Sequence, residues 1–132
     1  MKVLLVGIDP KLIDPSLFAA TGWDANRVRA AGQDANKRLA ELGYEVQSCL
    51  VDLGETAERV VSDTLSRKKF DCIMIGAGVR VLPQHTVLFE KIINAIHQKA
   101  PSSTKICFNN NPNDTVEAVL GWVNSDTEKV MR

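Results

Sequence analysis

Lys2-Val3-Leu4-Leu5-Val6-Gly7-Ile8-Asp9-Pro10 decides the architecture, because nothing polar interrupts it between Val3 and Ile8. A strand with one wet face alternates apolar and polar residues. A strand that is apolar on both faces is covered on both, as in a parallel sheet between two helix layers. As a leader peptide the run is too short, and Asp9 and Pro10 end it. Asp71 to Ile75 repeats the pattern as a second strand of this kind.

Working outward, strand and helix alternate. Residues 9–23 form a long connection with Pro10, Pro15 and Gly22. From Asp24 to Leu42, Val28, Ala31, Ala35, Leu39 and Leu42 fall three or four apart, which predicts a helix with one apolar stripe, and Gly43 ends it. A strand follows over Tyr44–Val51, then a helix over Glu55–Lys68 with Ala57, Val60, Val61 and Leu65 inward. After the strand Asp71–Ile75, residues 76–86 form a second long connection. A helix over Thr86–Lys99 buries Val87, Leu88, Ile92, Ala95 and Ile96, and Pro101 breaks the chain after it. Lys105–Phe108 is a fourth strand, and Asn113 or Asp114 caps a last helix reaching Val123. The expected division is one α/β domain over residues 1–123 and a polar C-terminal tail over 124–132.

Alternating units predict parallel strands joined by right-handed crossovers, with helices on both faces. Glu45, Gln47 and Ser48 make the second strand the wet one, so it belongs at an edge. The expected fold is a three-layer α/β/α sandwich on a four-stranded parallel sheet in the order 2-1-3-4. It resembles a truncated flavodoxin-like or Rossmann-like sheet. In such sheets ligands bind at the C-terminal ends of the strands where the order reverses, here between strands one and three.

Composition narrows the function classes. The 132 residues carry 16 basic and 16 acidic side chains, so the formal charge is zero, unlike the basic surface of a dedicated nucleic-acid binder. No apolar run approaches the roughly 18 residues of a membrane span. Cys49, Cys72 and Cys107 show neither disulfide nor metal-ligand spacing, so no metal site is expected. All three lie in predicted strands, which predicts buried, reduced thiols and a cytoplasmic protein.

The two long connections carry the candidate site. Gly76-Ala77-Gly78-Val79-Arg80 follows a buried strand. The Gly76 and Gly78 backbone lets an anion approach, and Arg80 supplies a bidentate cation for a carboxylate or phosphate. Alternatively the glycines make a turn and Arg80 pairs with a surface acid. His85 either acts as a base or ligand contact, or sits in solvent at the head of a helix. Asp9 either meets a ligand or metal, or shapes the Asp9-Pro10 turn. Asn109, Asn110 and Asn111 offer carboxamides to a ligand, or turn the chain and cap a helix. Gly76-x-Gly78 lacks the third glycine of a dinucleotide fingerprint and Pro83 follows it, so an NAD site is not expected, and the sequence leaves the cofactor unknown.

The opening resembles a response-regulator receiver, but Ile75-Gly76 stands where that family carries its phosphorylated Asp. Residues 70–108 resemble the middle of SGNH-type esterases, but Ser after strand one and a late His are missing. Low-molecular-weight phosphatases need Cys-x5-Arg after strand one, which this chain lacks. Three expectations stand. The first is a binder of a small anionic molecule through Asp9, Gly76, Gly78, Arg80, His85 and Asn109 to Asn111. The second is a small hydrolase- or lyase-type enzyme using His85 and Asp9 in the same crevice. The third is a homo-oligomeric interaction protein without a small-molecule site. A homodimer is expected because Val87, Leu88, Phe89, Ile92, Ile93 and Ile96 exceed one buried face, and Leu12, Ile13, Leu17 and Phe18 add to it.

Overall fold

Strands β1 (Lys2–Ile8), β2 (Glu45–Val51), β3 (Cys72–Ile75) and β4 (Lys105–Phe108) form one parallel sheet in the order β2-β1-β3-β4. The computed structural model describes residues 1–18 and 22–123, so the predicted tail over 124–132 lies outside the described residues. β1 pairs along its whole length with β2 and over Val3–Val6 with β3, and β3 pairs with β4. The polar residues of β2 mark the edge as expected: Glu45, Gln47 and Ser48 are exposed, while all four residues of β3 are buried.

The two faces of β1 feed two separate cores. Leu4, Val6 and Ile8 join Ile73 and Ile75 against α2 (Ala57–Arg67) and α4 (Thr86–Lys99). Val3 and Leu5 join Cys72, Met74 and Cys107 against α1 (Ala25–Glu41) and α5 (Thr115–Val123). The result is the three-layer α/β/α sandwich. Burying one such aliphatic side chain stabilises the fold by roughly 1.5–3 kcal/mol, which explains why β1 tolerates nothing polar.

α1 starts where the Asp24 carboxylate accepts from Arg27 N at 2.8 Å, and the chain leaves it at Gly43, whose φ of +97° favours glycine. Only the second half of α1 docks on the sheet. Ala35 and Leu39 are buried, Val28 and Ala31 are half-buried, and Leu42 at the C-cap is exposed rather than part of the stripe. The helix therefore lies against the sheet at one end and is lifted from it at the other.

The long connection after β3 is partly regular. It contains one helical turn, α3 (Ala77–Arg80), and a 3-10 turn at Pro83–His85. The connection after β1 likewise holds 3-10 turns at Pro10–Leu12 and Pro15–Phe18. At the head of α4, Val87 is 60% exposed, although the spacing placed it inward. There the chain has just emerged from the Pro83 turn, and Leu88 takes the buried position.

Among the described residues no helix is long and apolar enough to cross a membrane.

Candidate functional site

The lifted end of α1 leaves a cavity of about 370 Å³ at the C-terminal ends of β1 and β3, on the α1–α5 face. Leu5, Gly7 and Met74 line it from the sheet, and Ser48 and Leu50 from the edge strand. Val28, Arg29, Gly32, Gln33, Ala35 and Asn36 of α1 form one wall. Pro10 and Ile13, Ala77 and Gly78, and Asn109 come from the three connections that follow β1, β3 and β4, and Thr115 from the start of α5. Ligand cavities of α/β sheets sit at such strand ends.

Three glycines shape the space. A Cβ at Gly7, Gly32 or Gly78 would meet no atom within 4 Å, and none of the three has positive φ. Neither backbone conformation nor crowding by neighbours therefore requires glycine there. Glycine in the middle of a helix or strand costs roughly 0.5–1 kcal/mol relative to alanine. What the three positions share is the cavity wall. Gly76 differs: a Cβ there would lie 3.4 Å from Val6 O, and Gly76 N donates to that oxygen at 2.8 Å, which locks α3 to β1.

Polar groups are few and unequal in depth. Asn109 and Thr115 are 4% and 5% exposed. Asn109 Oδ1 accepts from Ala77 N at 2.7 Å, and its Nδ2 donates to Thr115 Oγ1 at 3.0 Å. This carboxamide ties the turn after β3 to the start of α5. Toward solvent, Asn36 Nδ2 donates to Ser48 Oγ at 2.6 Å, and Gln33 is exposed beside it. Arg29, half-buried on α1, is the one charged side chain in the lining among the described residues, and it donates to Asn26 Oδ1 at 3.1 Å.

The structure distributes the sequence candidates unevenly. Gly78 and Asn109 reach the cavity; Gly76 anchors the turn beneath it. Arg80 is not in the lining: its guanidinium donates to Asn109 O and lies 5.1 Å from the centroid of the Phe108 ring. Arg80 Nε is buried without a hydrogen-bond partner among the described residues. His85 is buried rather than solvent-facing, and its Nδ1 lies 2.8 Å from Gly78 O. A carbonyl oxygen only accepts, so Nδ1 carries the proton and His85 braces the glycine wall from behind. Asp9 accepts from Lys11 N at 3.0 Å, with Lys11 Nζ 3.9 Å away. Asp9 and His85 thus have separate partners, and neither lines the cavity.

Asn110 and Asn111 belong to a turn closed by Asp114, whose carboxylate accepts from both backbone N–H groups at 2.9–3.1 Å. Burial raises the Asp114 carboxyl pKa, but the bonds from Asn111 and Asn110 outweigh it and hold it below the ordinary carboxylate range. Cys72 and Cys107 lie Sγ to Sγ at 3.6 Å inside the α1–α5 core. The Cys107 hydrogen bond and burial push the Cys72 thiol far up, and burial raises Cys49. No group of three or more His, Cys, Asp or Glu side chains able to hold a metal occurs among the described residues.

The contribution of α1 was absent from the sequence-based candidates. Its signals are an unexplained mid-helix glycine, Gly32, and Arg29, Gln33 and Asn36 three or four residues apart beside the apolar stripe.

No model of a known protein family matches the chain, and no curated protein matches it.

Proposed function

We propose that the protein binds a small organic anion with an apolar body in the cavity at the ends of β1 and β3. The observation that carries this reading is the wall of Gly7, Gly32 and Gly78, three positions where a side chain would fit and where the missing side chains leave a cavity of about 370 Å³. That volume lies in the usual range for small-molecule sites, which combine an apolar lining with a few placed polar groups. Leu5, Ile13, Val28 and Met74 supply the apolar surface, and Arg29 the charge. The anion contact assigned to Arg80 in the sequence thus falls to Arg29 at the cavity itself, with Arg80 holding the Asn109 backbone in place.

The test compares 5-phenylpentanoate with its uncharged amide by thermal shift and isothermal titration. A ligand at a hundredfold excess over its Kd stabilises the native state by about 2.7 kcal/mol. The carboxylate is expected to bind about tenfold more tightly than the amide, and Arg29→Gln to abolish the difference. Equal binding of the two probes to the unaltered protein refutes the role of Arg29. No response to either refutes the reading.

We further propose self-association, favoured by the 43% exposure of Phe108 in β4, an edge strand of the sheet. Such an edge, left open, invites pairing with a second chain.

A further inference from the structure

The buried polar pair on the cavity wall has hydrogen-bonding capacity that the protein does not use. Ala77 N is an unambiguous donor, so it fixes Oδ1 of Asn109 and leaves Nδ2 facing Thr115. Thr115 Oγ1 accepts that bond, so its own proton turns elsewhere, and Thr115 Oγ1 makes no second hydrogen bond among the described residues. Asn109 Nδ2 has two N–H groups and likewise makes this one hydrogen bond among them. Both side chains are at least 95% buried and both line the cavity. Buried hydrogen-bonding capacity left unused is costly, so this wall favours an occupant that brings an acceptor.

That acceptor is uncharged. Leu5 and Met74, both buried, share the lining with the pair, and among the described residues the one charged lining side chain is Arg29, half-buried on α1. The Arg80 guanidinium is engaged from outside the lining by the Asn109 carbonyl and the Phe108 ring, so an ionised group pressed against the Asn109 and Thr115 side chains would lose its water without a cation in direct contact, which is far costlier than burying a carbonyl that receives hydrogen bonds. We propose that Asn109 and Thr115 read a carbonyl oxygen on the bound molecule, so that the ligand class is an apolar oxo acid, its carboxylate at Arg29 and its ketone at the Asn109–Thr115 wall. This rests on the binding reading above and specifies its ligand class.

The experiment uses three matched pairs of probes. They are 4-phenylbutanoate, 5-phenylpentanoate and 6-phenylhexanoate, each against its keto counterpart: 4-oxo-4-phenylbutanoate, 5-oxo-5-phenylpentanoate and 6-oxo-6-phenylhexanoate. The pairs vary the spacing between ketone and carboxylate. Titration of the full chain is followed by amide NMR, with the Gly7, Gly32 and Gly78 N–H signals reporting occupancy and the Asn109 side-chain amide reporting the proposed contact. In at least one pair the keto acid is expected to bind about tenfold more tightly, the effect of one to two added hydrogen bonds. The keto acid is also expected to shift the Asn109 amide where its partner does not. Thr115→Ser keeps the preference and Thr115→Val loses most of it. If Thr115→Val fails to fold, the Asn109 signal and Thr115→Ser still decide. Glycine shifts with equal affinities in all three pairs overturn the oxo-acid assignment and leave the binding reading standing. Absence of glycine shifts with every probe overturns both.

Discussion

Gly32 sets stability against occupancy in a single residue. It sits in the middle of α1 with ordinary helical backbone and no atom within 4 Å of an added Cβ. Gly32→Ala should therefore raise the unfolding free energy by roughly 0.5–1 kcal/mol, measured by urea denaturation. Gly32→Phe should fold and block the probes. A Gly32→Ala variant that is less stable than the parent would show that something crowds the position. The cysteines make an opposite kind of residue prediction. Cys72 and Cys49 are buried with thiols pushed up, by the Cys107 contact and burial for the first and by burial for the second. Brief iodoacetamide treatment of the native protein should leave both unlabelled in the mass spectrum, since the thiolate is the reactive form. Rapid selective labelling of either would contradict the buried placement.

Among the elements, the turn from Asn110 to Asp114 offers a pH test. The folded state holds the Asp114 carboxyl below its ordinary value, against the effect of burial. A carboxylate depressed in the folded state stabilises fully above its unfolded pKa, near ~3.9, and that contribution disappears as pH falls through the lower folded value. The urea midpoint of the parent should therefore exceed that of Asp114→Asn at pH 7, and the gap should narrow by pH 2.5. A gap of equal size at both values would mean that the turn does not depend on the ionised carboxylate. Elements also show how far sequence reading reaches. The exposed Glu45, Gln47 and Ser48 made β2 legible as an edge, because polarity on a strand has one meaning in a sheet covered on both faces. On α1 the same logic is silent. Arg29 and Asn36 face a cavity, Lys37 and Glu41 face solvent, and a helical period of 3.6 does not distinguish the two. Arg80 was legible as a special residue after a buried strand. Its partner, the Asn109 carbonyl 29 residues away, depends on where α3 turns, which the glycines before it did not reveal.

At the scale of the whole molecule, the two core clusters share only the sheet, and β1 contributes to both. The β4 edge of the sheet is the other feature at this scale. Light scattering at tens of micromolar, an order-of-magnitude working concentration for ordinary dimers, should give twice the chain mass of 14.5 kDa. Phe108→Lys should return the particle to the monomer mass, since a charge on an exposed strand edge opposes pairing. A 14.5 kDa particle for the parent would refute self-association.

The central place of β1 also governs how the chain is made. Val3–Val6 needs β2 on one side and β3 on the other, and β3 ends at Ile75. During synthesis β1 therefore leaves the ribosome before both of its neighbours and stays without the second until dozens of further residues have been added. Pairing over such sequence separations is slow, and an exposed apolar strand adheres to others in the meantime. Translation speed between residues 9 and 71, and the chaperones that meet the nascent chain there, thus bear on yield more heavily than the same factors acting later in the message.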